Sequence, residues 1–199
     1  MTALAAYAPA IGRTASAGLN DRRVWGVPVV VVLFFVGMIM PTAISVSAGG
    51  LRLSAYRVVL LIMFIPMILA LLSGKRGKLN VFDICAIGHS VWAIFSLINW
   101  GGLGQGIESG GIYMVEATGA YLVGRLYIRN VTDFKAMARF YVAVVVGMLL
   151  FTLPEALTSI HFLKDWPAQV FGGARAHYID QRMGLERAFG SFDHPILYG

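Results

Sequence analysis

Charged side chains are scarce in this sequence: Asp, Glu, Lys and Arg together make up 13% of its 199 residues, whereas 58% are hydrophobic. An ordinary soluble domain carries about 25% charged residues. Because surface-to-volume scaling limits the core of a soluble domain, a chain of this length cannot bury so much apolar sequence in water. The scarcity of charge therefore excludes an ordinary soluble domain and predicts an integral membrane protein.

Cysteine is almost absent as well, since Cys85 is the only one. One cysteine excludes an internal disulfide framework and a cysteine-rich metal site. Cys85 lies in an apolar stretch, and we interpret it as a small buried apolar residue. The spacings of His161 with Asp165 and of His177 with Asp180 do not match a zinc-ligand pattern. The sequence therefore predicts no metal and no other cofactor.

Acidic residues are outnumbered by basic ones, 10 to 16, so that the formal net charge is +6. A basic balance often indicates a nucleic-acid partner. Here, however, the basic residues are scattered over the segments between apolar stretches, and the rule that cytoplasmic loops are rich in Lys and Arg explains them better. We therefore expect the lipid bilayer, and no nucleic acid, as a partner.

Five apolar stretches approach the length of about 20 residues that crosses roughly 30 Å of hydrocarbon. They cover residues 24–46, 55–73, 81–99, 110–128 and 140–157. The predicted fold is therefore an all-α integral membrane protein with about five transmembrane helices in residues 24–157. Pro195 opens another apolar stretch at 195–199, and proline suits the first turn of a helix. We interpret it as the start of a sixth helix in a truncated chain.

The basic residues also orient these helices. Ten of the sixteen lie at one set of helix ends, whereas the loop 100–109 contains no Lys or Arg. The positive-inside rule then predicts a cytoplasmic N-terminus, with residues 1–22 as a disordered cytoplasmic tail and residues 158–194 outside. The Gly-rich loop 100–109 is expected to be a flexible external turn. Residues 130–139 are expected to form a short amphipathic connector at the membrane interface.

A few polar residues fall within the predicted spans, where each needs a partner or water. Asp83 lies near a cytoplasmic end, which favours an exposed or helix-capping role, and His89 favours a hydrogen bond between helices. Glu116 and Arg125 are nine residues apart, so they face opposite sides of a helix and do not pair with each other. Ala120 and Gly124 form a small-xxx-small pair that allows close helix packing.

The external segment carries a cluster of arginines and histidines. Its members are Arg175, Arg182, Arg187, His177 and His194. Arginine binds phosphate in a bidentate manner, and histidine exchanges a proton near neutral pH. From these residues alone, a site for a lipid-linked phosphate and a solvated loop that pairs with Asp180 and Glu186 remain equally good interpretations.

A motif at the end of the chain resembles a known family. Residues 187–195 read Arg-Ala-Phe-Gly-Ser-Phe-Asp-His-Pro. This stretch resembles the external R-x-x-G-x-F-x-x-P segment of the O-antigen ligase and polymerase superfamily, which includes exopolysaccharide polymerases. The stretch 120–125, which contains Tyr121 and Arg125, and Glu155 before the external segment are similar to further elements of that family. Ile196 stands where the family often has Asn, which favours an exopolysaccharide-type member over a ligase.

The resemblance implies a function. Members are multi-span glycosyltransferases that use an undecaprenyl-pyrophosphate-linked oligosaccharide at the outer face of the bacterial inner membrane, without a nucleotide sugar or an essential metal. By resemblance, Arg187 and His194 are catalytic. Three further arginines bind the pyrophosphate: Arg182, Arg175 and Arg125. Three residues form the structural part of the motif: Gly190, Pro195 and Glu155.

The resemblance also implies partners and leaves alternatives. Other polysaccharide-assembly membrane proteins are expected partners, and because the family uses later helices, a 199-residue chain is expected to be inactive alone. The alternatives are a fragment of a membrane transporter or flippase, and a non-catalytic membrane component of polysaccharide export. A transporter would place its charges near the midplane of the membrane.

Overall fold

The computed structural model describes residues 22–41, 44–48, 51–74, 76–158, 160–171, 188 and 190–191. In this part of the chain, helices predominate, as the sequence predicts. The elements in chain order are β1 (Arg23–Val24), β2 (Val27–Pro28), α1 (Val29–Ile39), β3 (Ser45–Ala48), β4 (Leu51–Ser54), α2 (Ala55–Leu72), α3 (Val81–Tyr127), α4 (Val131–Thr158) and α5 (Phe162–Phe171). The strands form two antiparallel hairpins, β1 with β2 and β3 with β4.

Three of the helices, α2, α3 and α4, are long and apolar enough to cross a membrane. Their apolar side chains are largely turned outward: Ile65 and Leu69 of α2 are 67% and 60% exposed, and Leu150 of α4 is 73% exposed. In water, each Å² of such surface costs about 25 cal/mol, whereas hydrocarbon accommodates it. The described helices therefore have the character of a membrane-embedded protein, as the composition predicts.

Helix α1 is shorter than predicted. The sequence predicts a span at 24–46, but α1 has 11 residues, or about 16 Å at 1.5 Å per residue. The cause is local. The β1–β2 hairpin turns at Trp25 and Gly26, both with positive φ, just before the helix. Pro41 disfavours helical backbone at Met40, which is extended with ψ 133°. The segment after it then pairs as β3 and β4.

Helix α3 is a hairpin of two packed arms, which we call arm 1 (residues 81–101) and arm 2 (residues 103–127). Gly102 has φ 80° and ψ 173°, a conformation that side-chain-bearing residues rarely adopt, and the chain reverses there. The turn expected within 100–109 is present at Gly102, but the flexible loop is not, because helix continues on both sides of this one residue. His89 on arm 1 and Tyr113 on arm 2 form a hydrogen bond of 2.8 Å. The prediction that His89 bonds between helices is thus confirmed.

Glycines on arm 2 set the close approach of the two arms. A Cβ at Gly110 would lie 2.9 Å from Ile94 Cα, and a Cβ at Gly106 would collide with the backbone of Ile98. This is small-xxx-small packing. The sequence assigned such packing to Ala120 and Gly124 instead, but nothing lies within 4 Å of a Cβ built at Gly124.

Asp83 lies in the first turn of α3 and joins its two arms. Its carboxylate accepts from the backbone N of Asn80 at 2.9 Å, while Asn80 Oδ1 accepts from Asp83 N at 2.9 Å, so the two form a capping box. Asp83 Oδ1 also accepts from Tyr121 at 2.6 Å and from Arg125 at 3.2 Å. The predicted capping role is confirmed. Exposure, the other option, is wrong, because Asp83 is 0% exposed.

Glu116 and Arg125 do not pair with each other, as their helical spacing predicts. Glu116 Oε1 instead accepts from Tyr56 and from Arg57 of α2, both at 2.6 Å. Cys85, which we interpreted as buried, is exposed on arm 1. An apolar sequence neighbourhood predicts burial in a soluble core, but on a membrane helix it is equally compatible with a surface that faces lipid.

Helix α4 starts earlier than predicted. The expected separate connector at 130–139 is wrong, because α4 runs without a break from Val131. Asn130 Oδ1 caps it by accepting from Asp133 N at 2.7 Å. The buried Asp133 accepts from Arg23 at 2.5 Å, which ties the start of α4 to the hairpin before α1. No Pro or Gly separates this first part from the apolar remainder, so one helix contains both.

Several of the described basic residues gather at one end of the helices, which we call the basic end, whereas Arg57, near the start of α2, pairs with Glu116 elsewhere. Arg23, just before α1, forms an ion pair with Asp133 in the first turn of α4. Arg125, near the end of arm 2, forms an ion pair with Asp83 in the first turn of arm 1. Arg76, just after α2, donates to the carbonyl of Leu126 at 3.1 Å. Helix ends that are far apart in sequence therefore meet in one place.

The contact between α1 and α2 gives a first test. A Cβ at Gly37 would lie 2.8 Å from Tyr56 Cα, which is backbone and cannot move aside on its own. We expect Gly37→Ala to destabilise the protein by about 1–3 kcal/mol through overpacking, seen as a lower melting temperature in detergent. Gly147→Ala on α4 is the matched control, because its Cβ meets nothing within 4 Å. Equal melting temperatures for the two variants would contradict this packing.

Asp83 gives a second test. We expect Asp83→Asn to lower stability by about 3 kcal/mol or more, because it leaves the Arg125 guanidinium without its carboxylate partner in a buried place. The measurement is thermal unfolding in detergent. Glu108→Gln serves as the control, since Glu108 is an exposed acid on the same helix. If both variants unfold like the unmodified chain, the Asp83–Arg125 pair does not stabilise the bundle.

Candidate site at the far end of the fourth helix

The candidate site is built around Glu155, close to the C-terminal end of α4. Most of the C-terminal part of this helix is exposed, including Leu153 and Leu157 at 62% and 66%. Glu155 and Thr152, three residues apart and so on one face, are each only 3% exposed. A buried carboxylate costs several kcal/mol unless it is paired or hydrogen-bonded. Glu155 therefore needs partners from outside its own helix.

The first partner is His161, at the start of α5. His161 Nδ1 lies 2.7 Å from Glu155 Oε1, and both side chains are almost wholly buried, at 8% and 2% exposure. His161 also starts the helix, because its carbonyl accepts from Lys164 N at 3.1 Å and Asp165 N at 2.8 Å. An ionised carboxylate only accepts, so with Glu155 in that form Nδ1 is the donor, and the contact fixes the orientation of the ring.

The second partner comes from much further along the chain. The backbone N–H of Gly190 donates to Glu155 Oε2 at 3.1 Å, across 35 residues of sequence. Gly190 has φ 57°, a left-handed backbone conformation that favours glycine. The two oxygens of Glu155 thus hold different segments: one binds the start of α5 and the other binds the turn at residues 190–191.

Two more polar side chains are buried near this point of the chain. Ser191, next to Gly190, is 3% exposed, and its hydroxyl has no hydrogen-bond partner among the described residues. Lys164, one turn after His161, is 6% exposed. The contacts therefore join a carboxylate and an imidazole, with a buried hydroxyl next to the bound glycine. A histidine held by a carboxylate is an arrangement that can transfer a proton.

The structure brings together two of the residues singled out by the sequence, Glu155 and Gly190. Arg125 lies elsewhere, at the basic end, where it contacts Asp83 and the carbonyl of Lys78 at 3.2 Å. Glu155 is 24 residues along α4, or about 36 Å from its start at 1.5 Å per residue. The remaining candidates lie outside the described residues: Arg175, Arg182, Arg187, His194 and Pro195.

Sequence reasoning missed the role of His161. It treated His161 only as half of a possible ligand pair with Asp165, whereas the partner is Glu155. The available signal was a buried-helix acid followed, six residues later, by a histidine at the start of the next helix. Within the described part of the chain, no three His, Cys, Asp or Glu side chains lie close enough to hold a metal ion.

Glu155 provides a test of this site. We expect Glu155→Ala to release the turn at 190–191, because it removes the only described side chain that binds Gly190 N. In a Cys85→Ser background, Ser191→Cys should react slowly with a water-soluble maleimide, since residue 191 is buried, and about tenfold faster once Glu155 is removed, in line with loss of about 1.4 kcal/mol of local stability. Glu108→Ala is the control acid. Equal labelling rates with and without Glu155 would refute the contact.

Comparisons with known proteins identify no relative of this chain. No protein-family description matches this chain, and neither the curated proteins nor the solved structures contain a match to it.

Proposed function

We propose that this chain is part of a membrane glycosyltransferase that polymerises or ligates undecaprenyl-pyrophosphate-linked glycans at the outer face of the bacterial inner membrane. The observation that carries the proposal is the bond from Gly190 N to the buried Glu155. Gly190 is the glycine of the arginine-containing motif, and this bond attaches the motif to the end of a membrane helix. A loop that only solvates itself would need no such buried attachment.

The arrangement of the helices supports a cytoplasmic N-terminus and five passes. Arms 1 and 2 of α3 supply two passes, and α2 and α4 supply one each. The proposal assigns the remaining pass to α1, with the β1–β2 hairpin before it at the cytoplasmic surface and the β3–β4 hairpin after it at the outer surface. In this arrangement the basic end faces the cytoplasm, as the positive-inside rule requires. The Glu155 site, at the other end of α4, then faces outward, where a lipid-linked glycan is presented.

The position of Arg187 relative to Gly190 supports a role beside the membrane. The two residues are three apart, so chain length alone keeps their Cα atoms within about 11 Å. In the proposed reaction, a hydroxyl of the acceptor glycan attacks the anomeric carbon of the lipid-linked sugar. The bond from that carbon to the pyrophosphate oxygen breaks, and a protein base such as His194 takes the hydroxyl proton.

The arginines act on the leaving group. As the bond breaks, negative charge develops on the pyrophosphate, and fixed cationic donors stabilise such charge better in the transition state than in the ground state. Arg187 is the first candidate, with Arg182 and Arg175 beside it. The proposed reaction does not use Arg125, because its described contacts, with Asp83 and the carbonyl of Lys78, lie at the basic end, away from the outer face. Pyrophosphate binding by Arg125 stays an untested expectation.

The transporter alternative has less support. It calls for charges at membrane depth that are available to a substrate. Within α2 and arm 2, Arg57 and Glu116 face each other at 2.6 Å, which compensates both charges. A non-catalytic component of polysaccharide export makes a different prediction, because it would tolerate replacement of the external arginines.

The test is surface polysaccharide output from the full-length parent gene in a strain that lacks it. We expect Arg187→Ala to reduce polymer or ligated product by about a hundredfold or more, because one lost transition-state donor costs this much. Arg187→Lys should fail to rescue if the contact to phosphate is bidentate. The expected product is free or lengthened polymer for a polymerase and lipid-attached glycan for a ligase.

The matched control is Arg139→Ala. Arg139 is exposed near the basic end and bonds only to the backbone of Lys135 among its described contacts. Its replacement should leave output unchanged, with membrane levels of every variant compared by immunoblot. Normal output from Arg187→Ala at normal protein levels would reject the glycosyltransferase mechanism and favour a structural or transport role.

A further inference from the structure

Helix α5 carries an exposed apolar stripe opposite a buried face. Its large side chains Phe162, Trp166 and Val170 are 62%, 56% and 61% exposed. At 100° per residue they fall within an arc of about 80°, which we call the α5 stripe. Lys164 and Ala168 are buried and lie on the opposite side of the helix, where α5 packs against the rest of the protein.

A polar border runs along one edge of the α5 stripe. Asp165 and Gln169 are four residues apart, so they lie on one line along the helix, next to the stripe. Gln169 is exposed and Asp165 is half-buried. The helix therefore presents an apolar, a polar and a protein-packed surface side by side. This cross-section fits a helix that lies where protein, hydrocarbon and water meet.

The length of α4 places α5 at such a boundary. The apolar part of α4, residues 140–157, extends about 27 Å at 1.5 Å per residue, close to the roughly 30 Å of a hydrocarbon core. Helix α4 ends at Thr158, and α5 begins at Phe162. Trp166 then lies at the level of the lipid headgroups, where tryptophan is enriched.

The side chains of the α5 stripe favour lipid over another helix as its partner. Contacts between membrane helices are rich in small residues, which let the backbones approach closely. The described helices follow this rule, with Gly106 and Gly110 between the arms of α3 and Gly37 between α1 and α2. The α5 stripe contains no small residue and no hydrogen-bonding group apart from the Trp166 indole N–H, which is usual for a surface that faces acyl chains.

We propose that α5 lies in the plane of the membrane interface at the end of α4, with the α5 stripe inserted among the acyl chains of phospholipids. The polar border then faces headgroups and water. His161, directly before the stripe, and its partner Glu155 are held at headgroup depth. That depth suits the lipid pyrophosphate of the proposed function, but the contact with lipid does not depend on that function.

Depth measurements test the orientation of α5. The whole chain, in a Cys85→Ser background, is spin-labelled at Phe162→Cys or at Val170→Cys in nanodiscs of phosphatidylethanolamine and phosphatidylglycerol. These positions are about 12 Å apart along the helix axis. We expect equal depths, measured as equal ratios of collision with oxygen and with a water-soluble nickel chelate. Leu150→Cys on α4, where Leu150 is 73% exposed, is the control that should lie deeper than both.

Photo-cross-linking identifies what covers the α5 stripe. p-Benzoylphenylalanine takes the place of Trp166 in the full-length parent protein, and cell membranes are irradiated. We expect the protein to gain the mass of a phospholipid. The matched control carries the same probe in place of Phe140, whose ring centroid lies 6.1 Å from that of Phe35, and should cross-link within the protein.

The outcomes separate lipid from protein partners. Equal depths at residues 162 and 170, with a phospholipid adduct at residue 166, support an interfacial helix. A depth difference near 12 Å, or exposure of both labels to water, overturns it. An adduct between residue 166 and a later part of the parent chain or another protein also overturns it. Neither measurement uses polymer output, so a failure here is distinct from a failure of the glycosyltransferase proposal.

Discussion

The whole arrangement depends on one constraint: a charged side chain among apolar helices must find its partner within the protein. In hydrocarbon, water cannot compensate an isolated charge, and the cost is several kcal/mol. Four acids meet this constraint in the described chain: Asp83 with Arg125, Glu116 with Arg57, Asp133 with Arg23, and Glu155 with His161. The first two pairs join different helical segments across 42 and 59 residues of sequence. Each therefore specifies which helices are neighbours, something that non-directional apolar packing does only weakly.

The two ends of the bundle use their polar groups differently. At the basic end, caps and ion pairs close helix termini on one another, so most of their hydrogen-bonding capacity serves the fold. At the far end of α4, Glu155 binds two segments that follow it, the start of α5 and the turn at residues 190–191. There a single buried carboxylate reaches a segment that lies 35 residues further along the chain.

Hydropathy alone identified most of the helices, because the length and polarity of a segment decide whether it can enter a membrane. It placed α2, both arms of α3 and the apolar part of α4 close to their observed positions. It failed at α1, where Pro41 and the β3–β4 pairing shorten the helix, and at residues 130–139, where nothing interrupts α4.

The pairings between charged side chains were harder to derive from the sequence than the helices. The spacing of Glu116 and Arg125 excluded a bond between them, but only the fold shows that their partners are Arg57 and Asp83. At the candidate site, motif residues pointed to Glu155 and Gly190, while His161 required the geometry.

The reversal of α3 at a single glycine has a consequence for what the cell can reach. A hairpin that turns at Gly102 without a loop exposes almost no chain between its arms, so it offers external proteases and antibodies little to recognise. Insertion of a tag there would force the two arms apart at the Gly106 and Gly110 contacts. In the proposed orientation, the surface presented to the outside is left to the β3–β4 hairpin and to the chain after α4, and epitopes or reporters belong there.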